Sequence, residues 1–199
     1  MQNRESLEIA RVKAFSDGVF AIAATLLAFN VHLVNQDELP FGALFDQLSP
    51  QISAFLISFV VAAIYWRNHN RLFNLLHRVD QRLNMLNMAQ LAAVCLMPFA
   101  SGLIAGARPS PGAITFYALS IAVIGLLSAA LWAYAALKPE LIGPSAAPAE
   151  LWSWFRVACI PPAIFLLSIA LVPFSVIWAM RSWSLLAVLL PVARRLSHR

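Results

Sequence analysis

The chain has 199 residues, 61% of them hydrophobic and 12% charged, with a net charge of +5 and a mean hydropathy of +0.75. That leaves too little polar surface to cover a soluble globule, and the apolar residues run on continuously instead of alternating as in a β-barrel. The composition points to an all-α polytopic membrane protein, read as a single domain over 1–199.

The first apolar run, 14–34, holds 21 residues. At about 1.5 Å each these cross a hydrocarbon core roughly 30 Å thick. An acidic residue opens the run and no small-x-small cleavage site follows it, so it reads as a span and not a removable signal. Turn-rich "NQDELPFG" closes it, and spans near 48–66, 85–107 and 112–137 follow, the last two separated by "RPSPG". After "KPELIGPSAAPAE" come 155–175 and 177–193. These two read as a kinked pair, because Pro161-Pro162 and Pro173 interrupt the fifth span and the sixth is short. Cys95 and Cys159 sit inside apolar stretches without CxxC spacing and read as small buried hydrophobes. His32, His69, His77 and His198 show no metal-ligand spacing and no G-x-S-x-G occurs, so neither an enzyme nor a bound cofactor is expected.

Six spans place both termini on one side, with the 67–84 and 138–154 connections. That side collects Arg4, Arg11, Lys13, Arg67, Arg71, Arg78, Arg82, Lys138, Arg156, Arg194, Arg195 and Arg199; the other has only Arg108 and Arg181, beside Asp37, Glu38 and Asp46. The asymmetry predicts cytoplasmic termini. It also accounts for the basic balance through anionic lipid, with no need for nucleic acid.

Within the first span, Asp17, Ala21, Ala24 and Ala28 form one narrow face of small residues, suited to close approach of another helix. Gly18, Ile22, Thr25 and Phe29 form a neighbouring stripe with Leu26 on its flank. The structural alternative for Thr25 is a hydroxyl bonded back to the Ala21 carbonyl. An aspartate at Asp17's depth calls for a partner. The expected cluster joins Asp17 and Ser16 to Arg11 and to a member of "YWRNHNR".

R-x-x-x-F-S-D followed by I-x-x-T-L-L resembles the first-helix signature of the transmembrane protein 175 family, potassium channels of endolysosomes and bacteria. Here it comprises Arg11, Phe15, Ser16, Asp17, Ile22, Thr25, Leu26 and Leu27. "YWRNHNRLF", with Trp66 and His69, resembles the end of that family's second helix, and "LNMLNMAQLAAVCLMPFAS" its third. The chain departs from the pattern at Phe29, Asn70 and Ala100-Ser101.

The resemblance implies a bacterial single-repeat member: a homotetramer in the plasma membrane whose first helices surround a potassium-permeable pore, with permeant K+ and the lipid bilayer as its partners. By position it implies a constriction at Ile22, Leu26 and Phe29, a selectivity hydroxyl at Thr25, and a polar cluster for structure or gating at Arg11, Phe15, Ser16, Asp17, Trp66 and His69. The chain contains no TVGYG filter. An apolar ring can instead gate by dewetting, and partial dehydration favours potassium over sodium. The competing reading is a proton-coupled secondary transporter using Asp17 and His69 as relay groups.

Overall fold

The computed structural model describes residues 2–32, 40–106, 108–143 and 147–197. Six stretches among them are long and apolar enough to cross a membrane: Ser6–Asn30, Gly42–Leu75, Gln81–Ile104, Pro111–Leu137, Ala149–Leu171 and Val176–Ala193. The molecule is all-helical, as its composition implied. Asp37 and Glu38 of the first connection, and the whole of 33–39, lie outside the described residues.

Helix α1 (Gln2–Leu26) tightens into a 3-10 turn over Leu27–Asn30. Helix α2 (Phe41–Leu75) has 35 residues, about 50 Å at 1.5 Å per residue, and so outruns the 48–66 span at both ends. "YWRNHNRLF" therefore continues the helix, and Arg67 and Arg71 belong to α2 itself, not to a connecting loop.

The third span is two helices, α3 (Gln81–Cys95) and α4 (Met97–Ile104), which meet at Leu96. Pro98 explains the joint: it has no N–H to donate and its ring would press on the Val94 carbonyl. Asp80 caps α3 by accepting from the Leu83 N–H and also accepts from the Tyr134 hydroxyl. Burial pushes its carboxyl up, but those two hydrogen bonds, with the charges of Lys138 and Arg82, outweigh burial and hold it below the usual carboxylate value.

Helix α5 (Pro111–Leu137) starts at a Ser110 cap with Pro111 in its first turn. One face of it is the most deeply packed in the molecule, with Tyr117, Ile121 and Trp132 fully buried, while Leu119, Val123 and Leu126 form an exposed apolar stripe. Helix α6 (Pro148–Leu171) packs along α5 and runs unbroken through Pro161-Pro162, so that expected interruption of the fifth span does not occur, whereas the one expected at Pro173 does: the helix ends at Leu171. The sixth span, like the third, is divided, into α7 (Val176–Ser182) and α8 (Leu185–Ser197). At that division Ser182 and Ser184 bond back to the carbonyls of Ala179 and Arg181, and Trp183 turns inward to donate to the Ser168 hydroxyl at 3.0 Å.

The two connections of the basic side are fastened together. An antiparallel bridge pairs Leu76 with Ile142, and the N–H groups of His77 and Gly143 donate to Leu141 and Leu75 at 2.7 and 3.0 Å. Backbone groups that would otherwise need water at the membrane face are thereby paired. Both cysteines are free, Cys95 being exposed and Cys159 half-buried.

Candidate functional site

The first helix has two opposite characters. Ser16, Phe20, Ala23 and Leu27, spaced 4, 3 and 4 residues apart, are buried against the bundle. Phe15, Ile22, Leu26 and Phe29 are 57, 61, 44 and 80% exposed and fall together on the far side, with Gly18 and Thr25 exposed among them. The face ends where the α-helix tightens, which places Leu26 and Phe29, three residues apart, nearly in line along the axis.

That end is held from the side. The Asn30 amide donates to the Pro98 carbonyl at 2.7 Å, gripping the α3–α4 joint. A side-chain carbon on Gly102 would lie only 2.9 Å from the Asn30 oxygen, so glycine lets α4 come this close. Sequence reasoning missed Asn30. Its signal was a carboxamide closing an apolar run, with no water-facing loop assigned to it.

Thr25 donates to the Ile22 carbonyl at 2.8 Å, three residues back, and not to Ala21. The hydroxyl's donor is thus satisfied within the helix, while its lone pairs stay on the exposed face.

Four polar residues of the expected cluster come together in two separate sets. In the buried set the Asn87 amide donates to Ser16 at 3.1 Å, its oxygen meets His69 Nε2 at 2.8 Å, and Ser16 donates to the Val12 carbonyl. Ser16, His69 and Asn87 are essentially inaccessible, so α1, α2 and α3 are tied by a dry polar link. Phe73 stacks on the His69 ring at 4.2 Å and Phe20 approaches it at 5.6 Å. In the second set the Trp66 indole N–H donates to Asp17 Oδ1 at 2.8 Å.

Arg11 and Phe15 are exposed and join neither set. The expected partnership of Asp17 with Arg11 is therefore corrected: Asp17 bonds the indole across the helix pair. Lys13, reckoned only as part of the basic side, reaches Asn74 at 2.6 Å, and Asn74 in turn donates to Asn70. Nor does the small-residue face of α1 lie closed against a neighbour. Asp17, Ala21 and Ala24 instead border an open groove of about 450 Å³ with Phe59, Ala62, Ala63 and Trp66 of α2.

These contacts give Asp17 a modest structural weight. Asp17→Ala is expected to lower stability by about 1.5–3 kcal/mol, the range for one bond to a charged group, and not the 3–5 kcal/mol of a broken desolvated ion pair. Thermal unfolding in detergent, followed by tryptophan fluorescence, checks this. A loss near the upper figure would mean that Asp17 carries a buried charge partner.

Among the described residues no group of three His, Cys, Asp or Glu side chains could hold a metal ion.

With this geometry in view, comparison with known proteins is specific. The family model for the endosomal/lysosomal potassium channel TMEM175 matches residues 11–98, beginning at Arg11. A potassium channel of Streptomyces collinus is 36% identical over 159 residues, covering 76% of each chain. A potassium channel of Chamaesiphon minutus is 32% identical over 180 residues, covering 87% of this chain and 88% of that one. The endosomal/lysosomal proton channel TMEM175 of Rattus norvegicus is 28% identical over 136 residues, which span only 27% of its length. The crystal structure of a lysosomal potassium-selective channel TMEM175 homolog from Chamaesiphon minutus superposes with a TM-score of 0.74, at 27% identity, over 93% of this chain and 97% of that one.

Six membrane-capable helices and relatives of this kind define an integral membrane protein of the cation-channel class, not an enzyme. The chain belongs to the TMEM175 family.

Proposed function

We propose that this chain is one subunit of a homotetrameric, potassium-permeable channel in a bacterial plasma membrane, with both termini cytoplasmic and no TVGYG filter. The observation that carries the reading is the division of α1 into a buried face and an exposed apolar face ending at Phe29. One such face cannot enclose a pore, but four related by closed rotation can. Ile22 forms the main apolar ring and Leu26 and Phe29 lie beyond it, with the Thr25 oxygens between. Water leaves a ring of this kind readily, and an ion crosses only by giving up part of its hydration shell. The names of the bacterial relatives, both potassium channels, support the choice of ion. Asp17 and His69 engage different partners, Trp66 and Asn87, and no hydrogen bond joins them into a relay.

Two substitutions on the face test it. Ile22→Asn is expected to wet the constriction and raise single-channel conductance several-fold while tetramers persist in crosslinking. Thr25→Val keeps the shape and removes the hydroxyl, and is expected to bring the potassium reversal potential closer to that of sodium. Bilayer recordings of both variants check this. Wild-type conductance and selectivity in both would remove the face from the pore.

A further inference from the structure

A long crevice runs between α2 and the divided sixth span, on the side of α2 away from the Asp17 groove. At the end of the bundle opposite the basic connections it is a cavity of about 520 Å³, bordered by Pro50, Ser53 and Ile57 of α2, by Arg108, and by Ile177 and Met180 of α7. Ile57 and Met180 also border a second cavity of about 360 Å³, which continues along α2 to Ile64 and along α8 to Ala187. The two therefore form one groove. From Pro50 to Ile64 is 14 residues, about 21 Å of helix.

The ends of this groove differ in chemistry. Its deep half is bordered almost wholly by apolar side chains, among them Leu56, Val60 and Leu186. The mouth presents the exposed guanidinium of Arg108, with which no carboxylate among the described residues pairs at salt-bridge distance. Arg108 and Arg181 are the two cations that the charge pattern assigns to this side, and of the two it is Arg108 that borders the mouth. The Arg181 guanidinium lies over the Trp178 ring at 5.4 Å. Asp46, exposed one turn before Pro50, is the described carboxylate nearest in sequence to the α2 end of the mouth.

An exposed arginine at the mouth of a hydrocarbon-lined groove of this length matches an amphiphile with an anionic head and an extended acyl chain. We infer that the α2–α7–α8 crevice is a binding site for an anionic phospholipid of the leaflet opposite the basic rim, its phosphate at Arg108 and one acyl chain between Ile57 and Ala187. A zwitterionic lipid could fill the same groove, but it would gain less from the Arg108 guanidinium.

The test is native mass spectrometry of the protein purified from membranes and equilibrated with a defined mixture of phosphatidylglycerol and phosphatidylcholine. Wild type is expected to retain phosphatidylglycerol preferentially. Arg108→Gln should lose about one such lipid per subunit, with preference at that site falling about fivefold, the effect of one basic residue near an anionic headgroup. Arg108→Lys should keep the preference. Ala187→Trp, which fills the apolar end without touching charge, should lower retention of both lipids. Wild-type retention in Arg108→Gln, or in Ala187→Trp, would overturn the site. So would a change in the number of copies per particle at unaltered lipid content, which would make the crevice a protein interface.

Discussion

Replacing Gly125 by alanine is expected to lower the apparent melting temperature of the detergent-solubilised protein by roughly 4–8 °C, corresponding to about 2 kcal/mol. A methyl group there would lie 2.6 Å from the Tyr65 hydroxyl and 2.7 and 2.9 Å from the Cδ and Cβ of Pro162. Neither neighbour can yield. Tyr65 is buried and donates to the Ile121 carbonyl at 3.1 Å, and the Pro162 ring is rigid within α6. The helices must therefore part, and α5–α6 packing is the spine of the bundle. Alanine's better helix propensity recovers at most about 1 kcal/mol and does not reverse the sign. Gly112→Ala is the control on the same helix: its nearest neighbour would be the Ser110 oxygen at 3.9 Å, so no loss is expected. Equal melting temperatures for the Gly125 variant and wild type would show that α5 and α6 do not pack this closely.

Asn87→Leu is expected to cost about 2–3 kcal/mol, more than any single change on the exposed face of α1. Asn87 is the middle member of the Ser16–Asn87–His69 link, and both its neighbours are inaccessible. Hydrogen bonds between membrane helices are worth only about 0.6 kcal/mol on average. Here leucine also leaves His69 Nε2 buried without its partner, and such a stranded group costs about 1–3 kcal/mol. The companion Ser16→Ala removes two bonds, but the Val12 carbonyl keeps its place in the α1 backbone ladder and only one N–H of the Asn87 amide is stranded, so about 1 kcal/mol is expected. Unfolding of the two variants, measured side by side, should rank Asn87→Leu well below Ser16→Ala. An Asn87 variant as stable as wild type would mean that water replaces the amide and that the link is not dry.

Much of this architecture was legible in the order of residues. Hydropathy marked six spans, and charge asymmetry placed the 67–84 and 138–154 connections on one side, where the Leu76–Ile142 bridge joins them. The 3.6-residue period separated the Gly18–Ile22–Thr25–Phe29 stripe from its surroundings, and that stripe is exposed. Proline was read less well. Pro161-Pro162 looked like an interruption, yet α6 passes through them, because a proline's loss is local and membrane neighbours can sustain the helix. Breaks came instead at Leu96, ahead of a single Pro98, at Leu171, ahead of Pro173, and between Ser182 and Leu185, where there is no proline.

Composition, spans and helix faces depend on which residues recur along one chain, and the sequence by itself determined those. Partners depend on how far apart separate helices stand and how they are rotated, and only the tertiary structure decided them. Asp17 meets the Trp66 indole and not Arg11, because Trp66 is carried to it on α2 from 49 residues away while Arg11 stays exposed on α1 itself. Asn30 ends the exposed face by reaching Pro98 across 68 residues, at a spot where Gly102 leaves room for the Asn30 side chain. Short-range periodicity cannot encode such distances; they are set when the buried faces of several helices are packed at once.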